Sequence, residues 1–125
     1  MIVVDASAVL AIALGEPGGD EILDRITDAT VLSVNAAEVI LKLAEKGWLL
    51  TEAIETYTAF GFDLHPFDEA LAIDTARLHM ATRVAGLSFG DKACLALARR
   101  LRATALTADR KWAELDVGCT IELIR

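Results

Sequence analysis

The sequence predicts an α/β domain, a parallel five-stranded sheet with helices on both faces in three layers. Three observations carry that prediction. Short β-branched runs alternate with helical patterns along the whole chain, as in βαβ units joined by right-handed crossovers. The chain is 54% apolar with a mean hydropathy of +0.44, yet only 6% aromatic, and a surplus of Ala, Leu, Ile and Val suits a sheet buried on both sides. Its 125 residues match a single domain around one core, so residues 1–125 are read as one unit.

The first strand is Met1-Ile2-Val3-Val4, which ends abruptly at Asp5; Ser7 then stands near the start of a helix running through Ala8 to Leu14. Gly15-Glu16-Pro17-Gly18-Gly19 is a connection, without the Lys-Ser/Thr of a phosphate loop. Asp20 is expected to cap a helix reaching about Thr27 that buries Ile22, Leu23 and Ile26. Ala29 to Val34 gives the second strand. Asn35 opens the next helix, with Ala36, Val39, Ile40, Leu43 and Ala44 facing the core and Gly47 closing it. Thr51 begins a further helix carrying Ile54, Tyr57 and Phe60.

Residues 61–67 form a poorer third strand, placed at a sheet edge because Pro66 lacks a ladder donor. Asp68 caps a long helix with Ile73, Ala76, Met80 and Val84 as its apolar stripe, broken at Gly86. Ser88 opens the next, with Cys94, Leu97, Ala98 and Leu101 inward. Ala103 to Ala108 is the fourth strand, followed by Asp109 and a short helix containing Trp112 and Leu115. Cys119 to Ile124 is the fifth, polar enough at Glu122 to be the other edge. With strands 3 and 5 at the edges, the order 3-2-1-4-5 follows. The order reverses between strands 1 and 4, and a crevice opens there at their carboxyl ends.

Composition excludes several classes. The apolar run Ala8 to Leu14 is far shorter than the ~20 residues of a membrane span, and no basic segment precedes it as in a signal peptide. A cytoplasmic protein is expected. Cys94 and Cys119 are isolated thiols without metal-ligand spacing, expected to be reduced and structural. The net charge of −7 is unevenly spread: residues 1–76 carry 3 Lys/Arg against 14 Asp/Glu, residues 77–125 carry 9 against 5. An acidic site flanked by a basic half still admits a polyanion, because phosphate contacts depend on local potential.

Four carboxylates stand out. Asp5, Glu38 and Asp109 each follow a strand, and the helix from Asp91 runs antiparallel to strand 4, so all four belong to the carboxyl edge of the sheet. Each has an ordinary explanation. Glu38 follows Asn35 by three and Asp91 follows Ser88 by three, as in a capping box; Asp5 and Asp109 are each open to reading as N-caps. Collected in one pocket, however, such acids repel by roughly 4 kcal/mol per pair at about 4 Å and an effective dielectric of about 20. A helix dipole offers only about 0.3–1 kcal/mol. A hard divalent cation, Mg²⁺ or Mn²⁺, reconciles them, and metal-assisted attack on a phosphodiester is the chemistry that follows.

These residues resemble the PIN domains, and within them the VapC-type toxin ribonucleases. The resemblance rests on Val4-Asp5-Ala6-Ser7, Asn35-Ala36-Ala37-Glu38, Gly90-Asp91-Lys92-Ala93-Cys94-Leu95-Ala96-Leu97-Ala98 and Thr107-Ala108-Asp109, in order along the whole chain. It implies a PIN-like three-layer α/β/α fold, a Mg²⁺- or Mn²⁺-dependent endoribonuclease, 5′-phosphate and 3′-hydroxyl products, a homodimer, and inhibition by a cognate antitoxin as part of a toxin–antitoxin pair. Asp5, Asp91 and Asp109 would be metal ligands. Glu38 would bind the metal directly or through water and help position the attacking water. Ser7 and Thr107 would orient carboxylates or waters from behind. Where some relatives carry a further acid after the fourth position, this chain has Arg110-Lys111. Arg110 and Lys92 are candidates for contact with RNA phosphates.

Other features are assigned more plainly. His65 and His79 are expected to be structural, and no Ser/His/Asp triad includes Ser7. Trp48-Leu49-Leu50 either packs on neighbouring helices or helps line a groove for an antitoxin segment. Two rival functions remain: a catalytically inactive PIN-like module that only binds a protein, and a phosphoryl-accepting regulatory domain. The second wants a Lys after a later strand, and here only Lys111 lies near, two residues beyond Asp109.

Overall fold

The computed structural model describes residues 1–125. Five parallel strands, β1 (Ile2–Val4), β2 (Ala29–Leu32), β3 (Asp63–His65), β4 (Thr104–Thr107) and β5 (Ile121–Leu123), pair in the order β3-β2-β1-β4-β5. The edges and the central switch point are those the sequence predicts. Register sets Val4 beside Leu106 and Val3 beside both Thr30 and Ala105.

Alternation along β1 divides the core in two. Ile2 and Val4 face α1 (Ala6–Leu14) and α3 (Ser33–Glu45), with Ile22, Val39, Leu43 and Ala53 in the same cluster. Val3 faces the opposite layer, where α5 (Glu69–Arg77) and α7 (Phe89–Leu101) pack with Leu71, Cys94, Leu97 and Trp112. α2 (Gly19–Leu23) and α4 (Leu50–Phe60) join the α1/α3 layer and α6 (His79–Thr82) adjoins α5, with three single 3₁₀ turns completing the chain. No helix is long and apolar enough to cross a membrane.

Several boundaries differ from the sequence reading. α2 is capped at Gly18, not Asp20, and covers only five residues, leaving Leu23 exposed. β2 stops at Leu32, and α3 begins at Ser33, so Asn35 sits inside the helix instead of capping it. The long helix expected from Asp68 to Gly86 breaks at Leu78 into α5 and α6, then a 3₁₀ turn.

The stripe expected on that segment faces solvent: Ile73 and Met80 are exposed and Val84 is 95% accessible. The buried face is Leu71, Thr75, Leu78 and Thr82. Two threonines disguise it. Thr75 Oγ1 donates to Leu71 O at 2.6 Å and Thr82 Oγ1 to Leu78 O at 2.7 Å, which satisfies the hydroxyls inside the protein. Hydroxyls bonded back in this way also tend to bend a helix.

Candidate functional site at the carboxyl edge of the sheet

β1 delivers Asp5 to the crevice with its side chain only 3% exposed. Asp5 is the N-cap residue of α1 by position, yet its carboxylate makes no capping bond. Its Oδ2 instead accepts from Ser7 Oγ at 2.6 Å and from Thr107 Oγ1 at 2.9 Å. Those hydroxyls are themselves held by the chain leaving β4. Ser7 Oγ accepts from Ala108 N, and Thr107 Oγ1 from Asp109 N, each at 3.0 Å. Strand β4 therefore aims the hydroxyls that aim Asp5, while Asp5 Oδ1 receives neither of them.

Glu38 rises from the second turn of α3. It accepts from Asn35 Nδ2 at 3.0 Å, and the same nitrogen is 3.1 Å from Gly90 O. Asn35 thus ties α3 to the first turn of α7. It is fully buried, and its Oδ1 has no hydrogen-bond partner. Gly90 is needed at this junction because a Cβ there would overlap the Glu38 carboxylate.

Asp91 and Asp109 do cap. Asp91 Oδ2 accepts from Ser88 N at 3.0 Å while Ser88 Oγ accepts from Asp91 N at 3.2 Å, the reciprocal box the sequence predicts. Asp109 Oδ1 accepts from Lys111 N at 3.0 Å, and its Oδ2 lies 3.8 Å from Lys111 Nζ. The ordinary explanation therefore holds for Asp91 and Asp109 and fails for Asp5 and Glu38.

Electrostatics link Asp5, Glu38 and Asp91. Burial raises the Asp5 pKa above its ordinary value, opposed by the Ser7 bond and reinforced by the charge of Asp91. Burial also raises Glu38, with the charge of Asp5 adding to it and the Asn35 bond, Asp91 and Lys42 following as smaller influences. Asp109 joins the group through its backbone N–H, which donates to Thr107 Oγ1. As the side chains stand, no three of them close into a ligand cage. The donor set nonetheless suits a hard cation: Asp5 and Asp91 each direct one oxygen to fixed donors and keep the other, Glu38 keeps Oε2, and Asn35 Oδ1 adds a buried, unpartnered oxygen beside them.

The cationic candidates separate. Arg110 Nη1 donates to Arg125 O at 2.8 Å and so holds the last residue in place. Lys92 Nζ lies 3.3 Å from His79 Nδ1. Sequence reasoning passed over Lys42 and Lys46, which with Ser7, Arg125 and the acids Glu16 and Glu45 border a groove of about 510 Å³. Their signal was present: Glu38 and Lys42 are spaced by four on one face of α3, and Lys46 follows by four at its C-cap. Asn35 was likewise read as a cap when its work is to bridge Glu38 and Gly90.

The remaining assignments are structural. Cys94 is fully buried and its thiol is pushed well up by that burial, unlike a nucleophile's. Both cysteines are free thiols. His65 Nδ1 is 2.9 Å from Pro66 O. Trp48 packs against the α1/α3 cluster, while Leu49 and Leu50 are exposed.

The family model described as PIN domain matches residues 2–118. No curated protein matches the sequence significantly. Among solved structures, a DNA-bound VapBC from Salmonella typhimurium superposes with a TM-score of 0.78 at 18% identity, covering 99% of this chain and 98% of that one. A toxin–antitoxin complex from Klebsiella pneumoniae gives 0.76 at 14% identity, covering 100% and 98%. FitAcB from Neisseria gonorrhoeae gives 0.72 at 22% identity, covering 99% and 98%.

Proposed function

We propose that this chain, which belongs to the PIN-domain family, is a Mg²⁺- or Mn²⁺-dependent endoribonuclease and the toxin of a type II toxin–antitoxin pair. One observation carries the reading. Asp5 is a buried carboxylate without a capping role, oriented by two hydroxyls and set beside the charges of Asp91 and Glu38. A fold that needed only helix caps has no use for that arrangement. The toxin–antitoxin complex among its structural neighbours supports the cellular role, and with it a cognate antitoxin; a homodimer is part of the same proposal.

Asp5, Asp91 and Asp109 would hold the cation, with Glu38 joining directly or through water. When bound, it supplies Lewis acidity at the scissile phosphate and offsets the charge that gathers there. Glu38, raised by burial, is suited to accept the proton of the attacking water. Asn35 and Gly90 fix where its carboxylate stands. Ser7 and Thr107 keep the Asp5 carboxylate from rotating. Lys42 and Lys46 give the strand's phosphates a path along the groove at Ser7, and Lys92 remains a candidate on the α7 side.

The test is cleavage of an end-labelled single-stranded RNA by the purified chain with Mg²⁺, with Mn²⁺ and with chelator. Wild type is expected to cut with either metal and to stop in chelator, while Asp91→Asn is inactive with unchanged circular dichroism. Intact RNA after incubation of wild type with both metals, or equal cleavage by Asp91→Asn, refutes the reading and leaves the protein-binding module in its place.

A further inference from the structure

The other end of α7, at the sheet edge opposite the carboxylates, carries a charge cluster of the other sign. Arg77 of α5 and Arg99, Arg100 and Arg102 at the end of α7 line one cavity of about 420 Å³, with Asp74 the single acid among its walls. Part of this is ordinary. Cations complement a helix C-terminus, Arg77 pairs with Asp74 at 3.3 Å, and Arg100 reaches both oxygens of Asp68 at 3.0 and 3.2 Å.

Arg99 and Arg102 are not explained that way. Neither forms an ion pair. The Arg99 side chain lies across Gly118, its Nε 3.2 Å from where a Cβ would stand there. Arg102 closes α7 at φ 51 and ψ 41, and it is the one non-glycine residue with positive φ in the chain. Helices normally end on glycine in this conformation, as α1 does at Gly15 and α4 at Gly61. An arginine there is strained, and the dipole already has Arg99 and Arg100 in the last turn. Backbone strain of this kind tends to gather at functional sites.

We infer that this cavity is a binding site for a chain of phosphates. Guanidinium forks match phosphate oxygens two at a time. Two unpaired guanidiniums, flanked by two whose acid partners are solvent-accessible, suit several linked phosphates better than a single one. Such a chain comes from a free nucleoside polyphosphate or from the backbone of RNA. α7 has 13 residues and spans about 20 Å, so an RNA held at both ends would follow the length of that helix.

The experiment titrates inorganic triphosphate into wild type, Arg99→Ala and Arg102→Gly by calorimetry, in chelator so that no metal enters. A fluorescent single-stranded oligoribonucleotide is titrated in parallel over a range of salt. Arg102→Gly suits its backbone, so its loss of binding is not a loss of fold. Triphosphate affinity is expected to fall about tenfold in each variant. If the RNA salt slope also falls by about 0.7 per contact removed, the strand's backbone is the source; an unchanged slope assigns the site to a free polyphosphate. Variants that match wild type in both titrations overturn the inference. Neither titration depends on cleavage, so the outcome stands whether or not the chain is a nuclease.

Discussion

The two ends of α7 carry opposite charge, and in both cases it is the charge the helix dipole favours. Asp91 sits in the first turn, and Arg99 and Arg100 in the last. Sign therefore says nothing about function at either end. What separates functional from ordinary is the part the dipole leaves unexplained. At the N-terminal end that part is Asp5 and Glu38, acids brought in from β1 and α3 and buried against Asp91's charge. At the C-terminal end it is Arg102, kept where glycine belongs. One end invests burial and the other backbone strain.

The sharpest way to break this comparison is Asp5→Asn. Activity is expected to fall on the order of 10³-fold or more, because a ligand to the reacting centre is lost. Stability should move the other way. A carboxyl whose pKa is higher folded than unfolded binds more protons in the native state between the two values, so stability declines as pH rises through that interval. For Asp5 and Glu38 the interval begins at their ordinary values, 3.8 and 4.5, and extends upward. Metal-free wild type should lose stability as pH rises above these ordinary values on account of these groups. Asp5→Asn should lose less and melt higher than wild type at pH 7 in chelator. Added Mg²⁺ should raise the melting temperature of wild type alone. A variant that melts lower than wild type in chelator at pH 7 would show that the Asp5 charge is satisfied without a cation.

Gly90→Ala strikes at the same end with a smaller effect. The new Cβ overlaps the Glu38 carboxylate, so Glu38 must withdraw and the Asn35 bridge to Gly90 O must stretch. A displacement near 1 Å at a reacting group costs about 10²-fold in rate, and overpacking costs about 1–3 kcal/mol in stability. Single-turnover cleavage and urea unfolding measure the two separately. A variant as fast as wild type would place Glu38 outside the reaction.

How far the sequence foretold each end follows from the same distinction. The sheet order was legible because β-branched runs, Pro66 and the polar Glu122 are local signals. Four acids were grouped because strands end at the edge where sites form, and the charges of three of them, Asp5, Glu38 and Asp91, act on one another. The role of Asn35 was not, since Asn three residues before Glu also spells a cap, and only the contact with Gly90, 55 positions away, decides between them. Thr75 and Thr82 hid the buried face of α5 and α6 because a hydroxyl bonded to its own helix is polar in sequence and apolar in packing. Lys42 and Lys46 were passed over because a lysine on a helix surface is usually solvated. The cavity beside Ser7 distinguishes these two.

The smallest predicted effect tests the strain at the far end of α7. A side chain in the left-handed region costs about 1–2 kcal/mol, and glycine gives back part of that through its freer unfolded chain, about 0.5–1 kcal/mol. Arg102→Gly should therefore stabilise the fold by about 0.5–1 kcal/mol, read as a higher urea midpoint at constant m. The Arg102 guanidinium has no ion pair whose loss would offset the gain. Arg102→Ala separates the contributions, because it removes the charge and keeps the strained backbone. If alanine stabilises as much as glycine, repulsion among the arginines was the cost, and the backbone was never strained on the side chain's behalf. If only glycine stabilises, α7 ends on a residue that is worse for the fold than the one helices ordinarily choose, and the guanidinium is what that difference retains.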